Sequence, residues 1–168
     1  MNRVIVLRAH GDKGLKQGKG MLFKATGDRF ESSWSNDVRE NKGVLVYANG
    51  DNYEGEFDGE ECSGKGMCVW ASGDSYEGEW ANDLRQGNGT KKWKKDGDVS
   101  MGKWLNDTKH GHGEYVWSNG DHYLGKWRHG LMKGKGKKLY ANGDVYEGKW
   151  ANVQNLFLSF NFNLNLIK

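Results

Sequence analysis

Several groups of residues in this 168-residue chain have the types, though not the full spacing, of working sites. Gly59-Glu-Glu-Cys-Ser-Gly64-Lys65 comes close to a phosphate-cradling loop. In such a loop backbone amides and a lysine hold the phosphates, and a Ser or Thr holds magnesium. Gly66 occupies that last place, and no helical pattern follows to direct a dipole at the anion. His110, His112, His122 and His129 offer imidazole ligands, but zinc needs three or four converging donors, each held in orientation. Cys62 and Cys68 are too few for a disulfide framework and fit a reducing compartment. The pairs Glu54/Glu56 and Glu77/Glu79 could exchange protons with a substrate. Two residues apart on a strand, however, the members of a pair share one face, the arrangement of a solvated surface. No Ser/His/Asp or Cys/His set stands out. The expectation is a chain that is not an enzyme, with neither cofactor nor metal.

The remaining chemistry is basic. Lys91, Lys92, Lys94 and Lys95 surround Trp93, and Lys133, Lys135, Lys137 and Lys138 follow on a later segment. Cations interleaved with a ring can bind single-stranded nucleic acid, and cations alone attract anionic headgroups by ~1 kcal/mol each. Trp93 recurs at a structural position, which ranks a protein partner first, anionic phospholipid second and nucleic acid last. Residues 1–89 hold 11 Lys+Arg and 15 Asp+Glu, a net of −4, while residues 90–168 hold 14 and 7, a net of +7. The overall +3 therefore conceals an acidic half and a basic half, the latter suited to acidic partners.

What must position these residues is a repeat. Gly-Asp dipeptides fall at Gly27, Gly50, Gly73, Gly97, Gly120 and Gly143, and a ring follows each at Trp34, Phe57, Trp80, Trp104, Trp127 and Trp150. Both series step by 23, 23, 24, 23 and 23 residues. With 26 glycines, no proline and a mean hydropathy of −0.89, the chain has too little aliphatic material for a layered enzyme core. Its 12% aromatic content is too high for disorder. Tyr53, Gly55 and Phe57 alternate along one strand face, and Asn-Gly within Ala48–Asp51 and Ala141–Asp144 signals hairpins. A two-residue turn would set Val44 and Val46 beside Tyr53; a three-residue loop with a bulge would set Leu45 and Tyr47 there. Trp70, Trp93, Trp117 and Tyr140 recur at the Tyr47 position and favour the second arrangement. The fold class that follows is all-β, an elongated single-layer antiparallel meander of about six stacked hairpins. Alternate glycines in it leave slots for rings.

The copies Asp51-Asn-Tyr-Glu-Gly-Glu-Phe57, Asp74-Ser-Tyr-Glu-Gly-Glu-Trp80, Asp121-His-Tyr-Leu-Gly-Lys-Trp127 and Asp144-Val-Tyr-Glu-Gly-Lys-Trp150, with Gly-x-Gly pairs between them, resemble the MORN (membrane occupation and recognition nexus) repeat. The resemblance covers residues 15–150, preceded by a lead-in at 1–14 and followed by an atypical tail at 151–168. It implies a non-enzymatic scaffold in the cytoplasm, peripheral at a membrane or cytoskeletal structure. Its aromatic face would comprise Tyr53, Phe57, Tyr76, Trp80, Trp104, Tyr123, Trp127, Tyr146 and Trp150, as core and as docking surface. Open sheet edges would offer self-association or strand addition. The alternative is the regulatory segment of a larger enzyme, of the phosphatidylinositol phosphate kinase or histone lysine methyltransferase type.

Two copies depart from the pattern: Ser32 and Asn41 replace glycines in the first, while the fourth has Ser100 for tyrosine and an extra residue before Gly97. These units are expected to be the loosest or most kinked. The tail, with Phe160, Phe162, Leu164 and Leu166 in alternation, reads as a capping strand or as the end of a truncated or misjoined chain.

Overall fold

The computed structural model describes residues 3–5, 15 and 17–153, so the tail from 154 onward lies outside the described residues. Contacts divide the chain into two units, Met1–Asp83 and Leu84–Lys168. The first holds β1 (Arg3–Ile5), β2 (Gly18–Phe23), β3 (Arg29–Ser35), β4 (Val38–Val46), β5 (Asn52–Asp58), β6 (Glu61–Val69) and β7 (Ser75–Ala81). The second holds β8 (Leu84–Lys92), β9 (Val99–Leu105), β10 (Thr108–Val116), β11 (His122–Arg128), β12 (Leu131–Leu139) and β13 (Val145–Val153). Within each unit every strand pairs antiparallel with the next in sequence, giving an open single-layer meander. The described residues contain no helix. The protein is all-β, built from hairpins as its spacing requires.

The loops resolve the choice of register. Leu45 lies directly opposite Tyr53. Tyr47 N donates to Asp51 O at 2.9 Å and Gly50 N to Tyr47 O at 3.0 Å, with Gly50 at φ 93°. That is a three-residue loop closed by a left-handed glycine, the bulged arrangement. The fourth repeat closes its longer loop with Trp93 N on Asp98 O at 3.0 Å and Gly97 N on Trp93 O at 2.9 Å. Its extra residue is thus taken up inside the loop. At the other end of the hairpins Asn36-Asp37 and Asn106-Asp107 make two-residue turns with both φ positive, which these side chains tolerate.

The irregular repeats keep their neighbours' register, contrary to the expected kinks. In the hairpin β5–β6 the pairs Gly55–Gly66 and Phe57–Cys62 leave Glu56 facing three residues of β6. The first repeat does the same with Ser32–Gly43 and Trp34–Arg39, and the fourth with Gly102–Gly113 and Trp104–Lys109. The pairs β3–β4, β5–β6, β9–β10 and β11–β12 therefore carry the same bulge, and an odd side chain is accommodated locally.

A row of cross-strand glycine pairs crosses each meander, through Gly43, Gly55, Gly66 and Gly78 in one unit and Gly89, Gly102, Gly113, Gly125, Gly136 and Gly148 in the other. The tyrosine rings lie over this row. A Cβ on Gly125 would meet the Tyr123 hydroxyl and stand 2.7 Å from Gly136 Cα. Neighbouring repeats are also tied at their loops, where an aspartate accepts from the next loop's amide. Ala48 N donates to Asp28 at 3.0 Å, Ala71 N to Asp51 at 2.8 Å, Ser118 N to Asp98 at 2.9 Å and Ala141 N to Asp121 at 3.0 Å.

These two faces differ in tolerance. Gly125→Val should destabilise by about 1–3 kcal/mol through overpacking, against under ~0.5 for Lys126→Ala on the exposed face. Urea unfolding midpoints measure the difference; equal midpoints would show that the faces are misassigned.

Candidate functional site

Tyr53, Tyr76 and Tyr123 make the same hydroxyl contact. Tyr53 Oη donates to Glu56 O at 2.9 Å, Tyr76 Oη to Glu79 O at 3.3 Å and Tyr123 Oη to Lys126 O at 3.1 Å. The ring then stands edge-on to its own strand's aromatic and to that of the next repeat: Tyr53 to Phe57 at 5.1 Å and Trp80 at 5.2 Å, Tyr123 to Trp127 at 5.3 Å and Trp150 at 5.0 Å. Such edge-to-face pairs are the favoured geometry of aromatic quadrupoles. The indoles are fastened as well, with Trp80 Nε1 on Gly66 O at 3.0 Å and Trp150 Nε1 on Gly136 O at 3.1 Å. Burial pushes the Tyr123 phenol up to about 12. Tyr53, Tyr76 and Tyr123 are at most 1% exposed, and Phe57, Trp80, Trp104 and Trp127 are buried too. Of the nine rings expected on this face, Tyr146 and Trp150 alone are half-open. The face is a closed core along most of its length, with little ring surface left for a ligand.

The fourth repeat does this with different atoms, and sequence reasoning did not find the residue responsible. Ser100 stands in the tyrosine place and is fully buried, its hydroxyl without a partner. Lys109, from the facing strand, fills the slot. Its Nζ donates to Glu114 O at 2.6 Å and Met101 O at 3.2 Å and sits 4.4 Å from the Trp127 ring centroid. It reaches the next repeat's tryptophan as Tyr53 and Tyr123 do in theirs. The signal was available in pieces: a missing tyrosine, and a lysine at a position that carries Arg39, Cys62, Arg85 and Met132 in other repeats.

The expected lysines are dispersed over the second unit. Lys138 turns to the ring side, 3.0 Å from the Asp121 carboxylate and over the rings of Trp117 and Tyr140. Lys137 lies opposite Glu147, and Lys91 covers the Trp93 ring at 4.9 Å. Lys92, Lys94 and Lys95 are exposed around the loop end of β8, while Lys133 and Lys135 are exposed on β12. They do not make one patch. A row does form across the strands of the second unit, where Lys103 faces Asn88, Lys126 faces His112 and Lys149 faces Lys135, all of them exposed.

The other motifs resolve into the sheet. Lys65 of the loop-like stretch is exposed on β6 with no helix behind it. His110 and His129 have ring centroids 5.8 Å apart, while His122 contacts Glu114 at 3.3 Å. Among the described residues no three His, Cys, Asp or Glu side chains gather as a metal set would. Cys62 and Cys68 are both buried, and burial holds the Cys62 thiol up at about 12.

The sequence pattern of the MORN repeat matches residues 12–29, 30–52, 53–75, 76–97, 101–122 and 123–145. No curated protein matches the chain. Among solved structures, a mutant of the TCP10 domain of Danio rerio CPAP is similar at 12% identity, covering 88% of this chain and 82% of that one with a TM-score of 0.42. The SAS-4 (dCPAP) TCP domain of Drosophila melanogaster, solved with a proline-rich motif of Ana2 (dSTIL), is similar at 11% identity. It covers 89% of this chain and 90% of that one, with a TM-score of 0.36.

The Ser100/Lys109 exchange is testable as a coupled pair. Ser100→Tyr alone should destabilise because Lys109 already fills the slot, and adding Lys109→Met should recover about 1–3 kcal/mol, the coupling expected of contacting residues. Independent effects in a double-mutant cycle would refute the substitution. The pair also predicts a pH dependence. Desolvation lowers Lys109 from 10.5 to about 7, so between those values the unfolded chain holds a proton that the folded chain lacks. The cost of burying the ammonium is fully present below pH 7 and is relieved as pH rises. Cys62, raised from 9.0, acts in the opposite sense above pH 9. Urea midpoints should therefore rise between pH 7 and 9 in the natural chain and stay nearly flat in Lys109→Met; a flat natural profile would contradict this.

Proposed function

The chain belongs to the MORN repeat family, whose arrays are generally non-catalytic interaction modules, and we propose that it is a non-enzymatic scaffold binding protein partners through its exposed sheet face. The observation that carries this reading is the contrast between the faces. The ring side is consumed by its own packing, while the other side of each unit is charged and dotted with apolar side chains. Met67, Val69, Leu124 and Leu139 are 37–58% exposed there, between carboxylates and amines. A regular surface of isolated apolar contacts within a polar field is what a protein interface uses. We further propose a cytoplasmic location, peripheral to a membrane or cytoskeletal structure, in which both cysteines stay reduced. A photoreactive residue at Leu124 should cross-link to a protein partner in cells of origin, and one at the loop residue Ser118 should not. Equal capture from both positions would remove the face from the proposal.

A second reading, an anionic membrane surface, is favoured by the exposed row Lys103, Lys126, Lys135 and Lys149. The full chain should then co-sediment with phosphatidylserine vesicles at low salt and release as exposed charges are screened beyond about 8 Å at physiological ionic strength. Replacing the four lysines by Gln should remove up to ~4 kcal/mol, since each contributes about 1 near the surface. No sedimentation at low salt, or binding indifferent to the substitutions, leaves the protein-partner reading alone.

A further inference from the structure

One repeat position changes sign along the chain. Just before the large ring stand Ser33, Glu56 and Glu79 in the first unit, but Lys103, Lys126 and Lys149 in the second. In the first unit Lys42 faces Glu56 and Lys65 faces Glu79, so that row is neutralised across its own strands. In the second unit the lysines face an amide, an imidazole and another lysine. Like charges directly opposite one another are destabilising, so this row persists without local compensation. The first unit has a complementary row two residues earlier, Glu31, Glu54 and Glu77. Their cross-strand neighbours are apolar: Met21 and Val44 for Glu31, Val44 and Met67 for Glu54, and Met67 for Glu77. None of the six residues forms a salt bridge among the described residues.

The two rows share a geometry because they come from one repeat. Each triplet is spaced by 23 residues in sequence and occupies alternate strands, hence points about 9.6 Å apart at ~4.8 Å per strand. We infer that the lysine row of the second unit docks a second copy of this chain, which presents the carboxylate row of its first unit. The inference rests on the sheet face being the binding surface and names its occupant. Two faces of the same twist stack about 10 Å apart with strands within about 30° of alignment, and the flexible lysine stems span the remaining offsets. Met67, 43% exposed, and Leu124, 58% exposed, lie on these same faces and lose water in the contact. A membrane or an acidic peptide would satisfy the lysines, but would leave the carboxylate row and the shared period without a role.

Light scattering and sedimentation of the full chain test this. At about 50 mM salt the natural chain should associate with rising concentration, and at about 500 mM the association should weaken about tenfold or more. K103E/K126E/K149E and E31K/E54K/E77K should each be impaired about tenfold alone, yet associate again when mixed. A chain carrying all six reversals should self-associate like the natural one. Urea midpoints close to the natural value verify that the variants keep the sheet. A natural chain monomeric at low salt, or association indifferent to both reversals, overturns the proposal. A monomer that still binds vesicles or another protein through the lysine row overturns only the second copy as occupant and leaves the binding face standing.

Discussion

A hydroxyl-tipped ring laid across two glycines on adjacent strands is the contact from which the rest of this structure follows. A single-layer sheet has no partner layer to bury its apolar groups, so burial has to be found within the sheet's own relief. Glycine pairs such as Gly125–Gly136 lower that relief enough for the Tyr123 ring to lie in it. The ring's far end then finds a carbonyl acceptor, and its edge meets two tryptophans. Remove the glycines and the ring is lifted; remove the ring and the backbone of the glycine row is laid open. The abundance of both residue types in so polar a chain is one requirement, not two.

In the fourth repeat the slot is still filled by a long side chain with a donor at its tip, though one of another origin. Lys109 supplies both from the opposite strand, and its cation over Trp127 takes the place of an aromatic edge. The substitution carries a consequence that tyrosine avoids, because a charge is now held away from water with carbonyl oxygens as its acceptors. Stability at that repeat becomes sensitive to proton concentration near neutrality.

The hairpins, the bulged loop and the division into two faces were all legible in the residues, because each is local and written at a fixed offset. Leu45 opposite Tyr53 could be read from the rings recurring at the Tyr47 position. What escaped was set across strands. The lysine runs at 91–95 and 133–138 catch the eye because they are adjacent in sequence, yet strand alternation sends Lys137 and Lys138 to opposite sides and the loop separates the rest. Lys103, Lys126 and Lys149 are each surrounded by unlike residues along the chain and become a row only when the repeats are set side by side. Lys109 was hidden for the same reason: its partner Ser100 lies nine positions away along the sequence but in the same slot.

The aspartates at the loops give the array a direction. Asp28, Asp51, Asp98 and Asp121 each hold an amide of the loop that comes later in the chain. A polypeptide is made from its N-terminus, and domains fold in that order during synthesis. A hairpin tied in this way therefore finds its carboxylate already waiting on the hairpin before it when it leaves the ribosome. Growth of the sheet can proceed like crystal growth from a seed, each finished edge serving as the template for the next layer.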